Sequence, residues 1–425
     1  MTDTAIRAVH GRRVWDSRGR PTVEVELRLA GGAVGRAIAP AGASTGSGEA
    51  VDLRDGDALF DGYDVKKALG SVEGEIAAAL TGRDASDQGG IDRALIALDG
   101  TPNKSRLGGN AIVATSMAAA HAAAAAQGVP LWQALKPNAA SLPLPEIQIF
   151  GGGAHAGRRV DVQDFMVIAV GAADYVQALD WTARVYMAAG RSMAEAGALQ
   201  GVADEGGYWP AFDTNEAALD MLVRSIEAAG LVPGDQVAIS LDIAASEFGE
   251  NGRYRLGLEG RALDSDGLAE LLLEWIDRYP IVSVEDPLGE DDEAGLIAFT
   301  KAAGGSVQII GDDYLVTDAG RVRSAIGKGA CNAVLVKPNQ AGTLTEARAA
   351  FDAATAAGWG AVVSARSGET EDVTIVHLAV GWGARQLKVG SFARSERMAK
   401  WNEGLRVAEA VGAALPPARA FPWGA

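Results

Sequence analysis

Three carboxylates stand where apolar runs of this chain stop. Asp242 follows Val-Ala-Ile-Ser-Leu, Glu285 follows Ile-Val-Ser-Val, and Asp312 follows Val-Gln-Ile-Ile-Gly. Each acid alone could cap a following helix. Three at successive strand ends would converge on one point, where their repulsion is costly without a cation. All-oxygen ligation selects a hard ion, and Mg²⁺ keeps positions for water and substrate. Lys337 closes the next apolar run, Ala333-Val-Leu-Val, and Lys388 sits inside Gln386-Leu-Lys-Val-Gly. A lysine is ordinarily protonated and useless as a base. A nearby divalent ion and a second lysine each disfavour its charge, so Lys337 is expected to have a lowered pKa. The competing reading for each lysine is a side chain snorkelling from a strand end.

The elements that must hold these groups can be read from the apolar pattern. Strand-like runs at 236–241, 281–284, 307–310, 333–336, 361–364 and 386–389 alternate with amphipathic stretches. Each run ends in a charged, polar or glycine residue, about one βα unit from the next. Such a series predicts a β/α barrel with its active site at the C-terminal ends of the strands. Before Pro143 and Pro145 the pattern differs. Residues 22–30 alternate apolar and polar, Gly31-Gly32 follows, and 34–39 is again extended, which reads as a hairpin. Helical stretches come near 64–81, 88–98 and 109–127. Strands followed by helices describe an α+β domain. The expected division is 1–140 for that capping domain and 141–425 for the barrel.

Five short segments add to this reading: Gly42-Ala43-Ser44-Thr45-Gly46, Asp204-Glu205-Gly206-Gly207, Val284-Glu285-Asp286, Gly311-Asp312-Asp313 and Arg366-Ser367-Gly368-Glu369-Thr370. With Lys337 and Lys388, and in this order, the chain resembles the enolase family from about Ile6 to about Glu409. The resemblance implies reversible dehydration of 2-phosphoglycerate to phosphoenolpyruvate through C2 proton abstraction and an enolate. It implies Lys337 as base, Glu205 as general acid, and Asp242, Glu285 and Asp312 as Mg²⁺ ligands. Ser44, on a loop with hinge glycines Gly42 and Gly46, would help hold a second Mg²⁺. Arg366, Ser367 and His155 would hold the substrate phosphate, Lys388 would face its carboxylate, and Gln163 would contact the substrate. A homodimer or higher homo-oligomer is implied as well.

The chain departs from the family at two site positions. Where the family has Ser-His-Arg-Ser-Gly-Glu, this chain has Ser364-Ala365-Arg366-Ser367-Gly368-Glu369; where it has Gln-Glu-Phe-Met, this chain has Gln163-Asp164-Phe165-Met166. The missing His normally lies on the leaving-hydroxyl side, and the missing Glu pairs with the general acid there. Asp164 draws its carboxylate back by roughly 1.5 Å, one C–C bond. Both changes fall at the hydroxyl end of the substrate, while the metal ligands, both lysines and the phosphate clamp remain. Two further readings stand beside a hydro-lyase. One is a paralogue acting on a related phosphorylated or phosphono carboxylic acid; the other is a non-catalytic binding or scaffold protein.

Composition narrows the partners. Net charge is −17, which disfavours nucleic acid, because that binding needs a positive field. Cys331 is the lone cysteine, so no internal disulfide forms and a reducing, cytoplasmic setting is expected. The start, Met1-Thr-Asp-Thr, carries no signal pattern. No apolar run is long enough for a bilayer, and the Ala-rich 112–127 reads as a buried helix packed through small side chains.

Overall fold

The computed structural model describes residues 3–424. The N-terminal part is a three-stranded antiparallel sheet in the order β1 (Ile6–Trp15), β2 (Pro21–Leu29), β3 (Val34–Ile38). The β2–β3 hairpin lies where the alternation placed it. Strand β1 has no such signal: only Ile6 and Val9 are buried along its ten residues. As an edge strand it is held by its ladder with β2, not by an apolar face.

Helices cover the other side. The predicted 64–81 stretch is helical as Lys66–Ser71, a wider π turn at Val72–Ile76, and Ala77–Leu80. Helix α1 (Gln88–Asp99) starts where the Asp87 carboxylate accepts the Gly90 N–H and stops at left-handed Gly100. Helix α2 (Gly109–Ala126) is buried over most of its length and packs on β2 and β3. The approach is close enough that a Cβ at Gly35 would lie 2.1 Å from the Ala122 nitrogen. Small side chains on both surfaces permit this contact. Among the described residues no helix is long and apolar enough to cross a membrane.

The second part is a closed eight-stranded barrel. Its strands are β4 (Leu144–Gly151), β5 (Asp164–Ile168), β6 (Ala238–Asp242), β7 (Ile281–Glu285), β8 (Gln308–Gly311), β9 (Ala333–Val336), β10 (Gly360–Ser364) and β11 (Gln386–Gly390). They pair in chain order and β11 closes on β4. The last six match the apolar runs read from the sequence. The first two were not among them, and β5 breaks the expected alternation. It is antiparallel to both β4 and β6, because residues 152–163 form a short connection and not a crossover helix. The reversal matters for the site: the start of β5, not its end, lies at the barrel mouth, with Asp164 in register with Asp242.

Strands β6 to β11 are almost wholly buried, because helices cover them outside and side chains fill them inside. Ile310, Ala333, Leu335 and Val362 form an apolar cluster apart from the main core, alternating along β9 with Val334 and Val336, which join that core. Buried polar side chains share the barrel interior. Gln308 Nε2 donates to Gln386 Oε1 at 2.8 Å, and Ser240 donates to Glu146, a fully buried carboxyl.

Candidate functional site

Strand ends place the predicted acids and lysines together. Asp242 and Glu285 are the last residues of adjacent strands and lie in register. Asp312 and Lys337 each stand one residue past a strand, and Arg366 two past β10. All five are buried, as is Lys388. Lys388 Nζ bridges the pair, 2.8 Å from Asp242 Oδ2 and 2.9 Å from Glu285 Oε2. Lys337 Nζ lies 2.5 Å from Asp312 Oδ2. Gln163 Nε2 donates to Asp242 at 3.1 Å, and Gln340 Nε2 to Asp312 at 2.9 Å.

These pairings set the proton affinities of the two lysines. Burial and the charges of Arg366 and Lys388 push Lys337 down, but Asp312 outweighs them and the ammonium is held above its ordinary value. Lys388 is displaced upward further: burial opposes its charge, yet Asp242, Glu285, Asp164 and Glu146 together prevail. Glu285 is raised as well, by burial and by Asp242, which for a carboxyl disfavours the charged form.

The acids suit a hard cation. Glu285 Oε1 is buried without a hydrogen-bond partner, and the surrounding donors are carboxylate oxygens. Among the described residues, Asp286, Asp312 and Asp313 bring oxygens within 4.8 Å of one another, whereas the predicted trio Asp242, Glu285 and Asp312 does not form such a group. Asp313, unforeseen in the sequence, is pushed up to about 8 by burial and by Asp312. Acidic groups able to hold a metal are therefore present at this mouth.

Except for Glu285 and Asp312, every predicted site residue lines one enclosed cavity of about 20 Å³. That is room for roughly one water. Ser44 reaches it from the N-terminal part, on the segment 42–49. Here the glycines also provide clearance. A Cβ at Gly42 would meet Arg366 Nη2 at 2.0 Å, and one at Gly46 would meet Asp313 Cα at 2.9 Å. Both terminal nitrogens of Arg366 are engaged. Nη1 donates to Glu49 at 2.9 Å and Asn339 at 3.2 Å; Nη2 donates to the Ser44 carbonyl at 2.9 Å and Glu49 at 3.3 Å. Glu49 had no signal in the sequence, since one acid in a Gly-rich stretch reads as solvated. Below, buried Arg397 donates to the carbonyls of Arg366 and Ser367, fixing their segment.

Glu205 sits in the turn between Leu199–Val202 and Tyr208–Pro210, a ribbon attached to β4. Gly206 has φ +88°, and a Cβ there would lie 2.3 Å from the Ala393 carbonyl, so the turn needs glycine. His155 projects from the Gly153–Ala156 turn with Nε2 4.0 Å from Glu205 Oε1 and 3.1 Å from Ser367 Oγ. Its Nδ1 lies 3.3 Å from Asp164 Oδ1. Burial lowers its basicity, but Glu205 and Asp164 raise it further, to about 9. Burial raises Asp164, yet His155 pulls it down to about 2. The shortened acid thus pairs with the imidazole. Ala365 lines the same cavity.

Comparison with known proteins agrees with this geometry. Residues 6–135 match the family described as Enolase, N-terminal domain, and residues 139–418 match Enolase, C-terminal TIM barrel domain. The chain is 49% identical over 416 residues to Enolase 1 of Desulfitobacterium hafniense (strain Y51), covering 97% of this chain and 95% of that protein. With both domains matched and the relative aligned almost end to end, the chain belongs to the enolase family.

Proposed function

We propose that this chain is a phosphopyruvate hydratase, a hydro-lyase that interconverts 2-phosphoglycerate and phosphoenolpyruvate. The observation that carries the reading is one enclosed cavity lined by an amine, Lys337, a carboxyl, Glu205, and the cationic groups of Arg366 and Lys388. Lys337 removes the C2 proton. Glu205 protonates the hydroxyl, which needs an acid because hydroxide leaves poorly at neutral pH. Arg366, Ser367 and His155 hold the phosphate, Lys388 faces the carboxylate, and Gln163 and Asp164 border the substrate. Asp242, Glu285, Asp312 and Ser44 would hold Mg²⁺, which would supply positive charge for the enolate and disfavour the charged form of the neighbouring Lys337 amine. The division at 140/141, a homodimer and a cytoplasmic setting belong to the same proposal.

The Glu49 carboxylate holds two positions on Arg366 that a phosphate would take. Substrate entry therefore involves withdrawal of segment 42–49, which carries Ser44 and Glu49 together. The test is turnover of 2-phosphoglycerate with Mg²⁺, followed beside deuterium exchange at C2. Lys337→Ala should abolish exchange; Glu205→Gln should spare exchange and block phosphoenolpyruvate formation. Equal loss of exchange in two folded variants would refute the assigned roles. Exchange in the parent without any phosphoenolpyruvate would favour a related phosphorylated or phosphono acid as substrate.

A further inference from the structure

His155 stands between the two ends of the cavity. Its turn is bounded by left-handed glycines, Gly153 (φ 47°) and Gly157 (φ 58°), which carry the ring inward. One nitrogen faces Asp164, and the other faces both Ser367 and Glu205. Among the described residues, His155 is the one cationic side chain within 4.0 Å of the Glu205 carboxylate. Ligand atoms of His155, Asp164 and Glu205 all lie within 4.8 Å of one another. Gln148 ties the group together. Its amide donates to Asp164, and its carbonyl accepts the Gly207 N–H at 2.8 Å, in the same turn as Glu205.

An imidazole between two buried carboxylates is the natural seat of their shared proton. The negative groups facing it are Asp164 from β5, Glu205 from its turn and Asp242 from β6; Ser367, from the segment after β10, is neutral. Lys388, 3.7 Å from Asp164, opposes them only through that carboxylate.

Resting on the reaction assigned above, we propose that Asp164 and His155 form one proton-delivery unit on the leaving-hydroxyl side. Asp164 is the positioning residue that orients the ring, and the His155 Nε2 proton passes through Glu205 to the departing hydroxyl. The balance is as follows. Lys337 takes the C2 proton, the C3–O bond breaks, and the oxygen leaves as water with a proton from Glu205. Glu205 takes its replacement from His155, which regains one from solvent when the cavity opens; Lys337 returns its proton to solvent. In this arrangement the shortened Asp164 and the small Ala365 are one coupled change: Asp164 reaches the ring, and Ala365 leaves it room.

The test combines the imidazole titration, followed by NMR in the full chain, with pH profiles of dehydration and C2 exchange. In the parent, His155 should titrate near 9, and dehydration should fall above that pH. Asp164→Asn should move both limbs down together by at least one pH unit and leave the exchange profile unmoved; Asp164→Glu should recover part of the shift. His155→Asn should cost about 10²–10⁴-fold in the kcat of dehydration and far less in exchange at saturating substrate. An imidazole titrating near 6.5, or a limb that ignores Asp164→Asn, would overturn the inference. So would His155→Asn raising KM with kcat unchanged, since that marks only an anion holder. If the parent makes no phosphoenolpyruvate, the assigned reaction fails, and the imidazole titration still decides whether the unit exists. Should Asp164→Asn not fold, the Asp164→Glu and His155→Asn profiles decide alone.

Discussion

Ala365 and Glu146 show how single side chains set conditions for the chemistry. The cavity beside Ala365 has space for roughly one water. Ala365→His would drive a ring into the small cavity that His155 and Ser367 also line. We expect dehydration to drop at least tenfold and stability to drop by about 1–3 kcal/mol, as for other overpacked sites. Phosphoenolpyruvate absorbance and urea melts check this; a variant as fast and stable as the parent would contradict it. Glu146 lies opposite Lys388 in the β11–β4 ladder, with one oxygen unpartnered. Burial holds its carboxyl above the ordinary range, against the pull of Lys388. A raised carboxyl binds more protons folded than unfolded, so its contribution is complete below about 4.3, the unfolded value, and is lost as pH rises through the folded value. Glu146→Gln should therefore flatten the decline of stability as pH rises above about 4.3. Parallel melts across that range measure it, and an unchanged slope would remove Glu146 from the pH dependence.

Among the elements, the segment 42–49 and the strand β5 do most to complete the site. The segment seats Ser44 and Glu49 on Arg366 only because Gly42 has no Cβ. Gly42→Ala should lower kcat/KM about 10–100-fold with the circular dichroism unchanged, because the clash disturbs Arg366 and not the core. Gly74→Ala is the contrasting change. It lies in the helical stretch before α1, and an added Cβ meets nothing within 4 Å. It should leave turnover alone and stabilise the fold by about 0.5–1 kcal/mol. Equal effects from the two substitutions would show that clearance over Arg366 is not what Gly42 provides. Strand β5 contributes through its direction. Reversed, it delivers Gln163 and Asp164 to the mouth beside Asp242, and the connection before it delivers His155.

At the scale of the molecule, the site closes across both parts of the chain. Ser44 and Glu49 come from the N-terminal part, while the acids and lysines come from the barrel. The same two parts also meet away from the site, where His121 on α2 hydrogen-bonds Thr374 Oγ1 at 2.8 Å. A divalent ion at the buried acids would relieve their mutual repulsion, and ligand binding stabilises by mass action, about 2.7 kcal/mol at a hundredfold excess over Kd. Chelation should therefore lower the melting temperature by several degrees and abolish turnover, and Mg²⁺ should restore both. Asp242→Ala should melt at a temperature indifferent to Mg²⁺. Full activity and an unchanged melt after exhaustive chelation would exclude the proposed ion.

The sequence alone determined the barrel strands that end in chemistry. A strand buried on both faces must be an unbroken apolar run, and the residue ending it, such as Asp242 or Lys337, faces the mouth of any closed barrel. It also determined the hairpin at 21–38, whose alternation records one buried face. Strand β1 was not legible, because its ladder and not its side chains holds it. Strand β4 was hidden by a polar inward face, with Glu146 and Gln148 interrupting the apolar pattern, whereas β5 is an apolar run, Phe165–Ile168, whose acid stands at its start and not at its end. Pairing belongs to three dimensions altogether. That Glu49 occupies Arg366, that Asp312 holds the Lys337 ammonium, and that Asp164 turns to His155 follow from groups far apart in sequence meeting at one buried site. There burial strips away solvent, and the nearest opposite charge decides the proton.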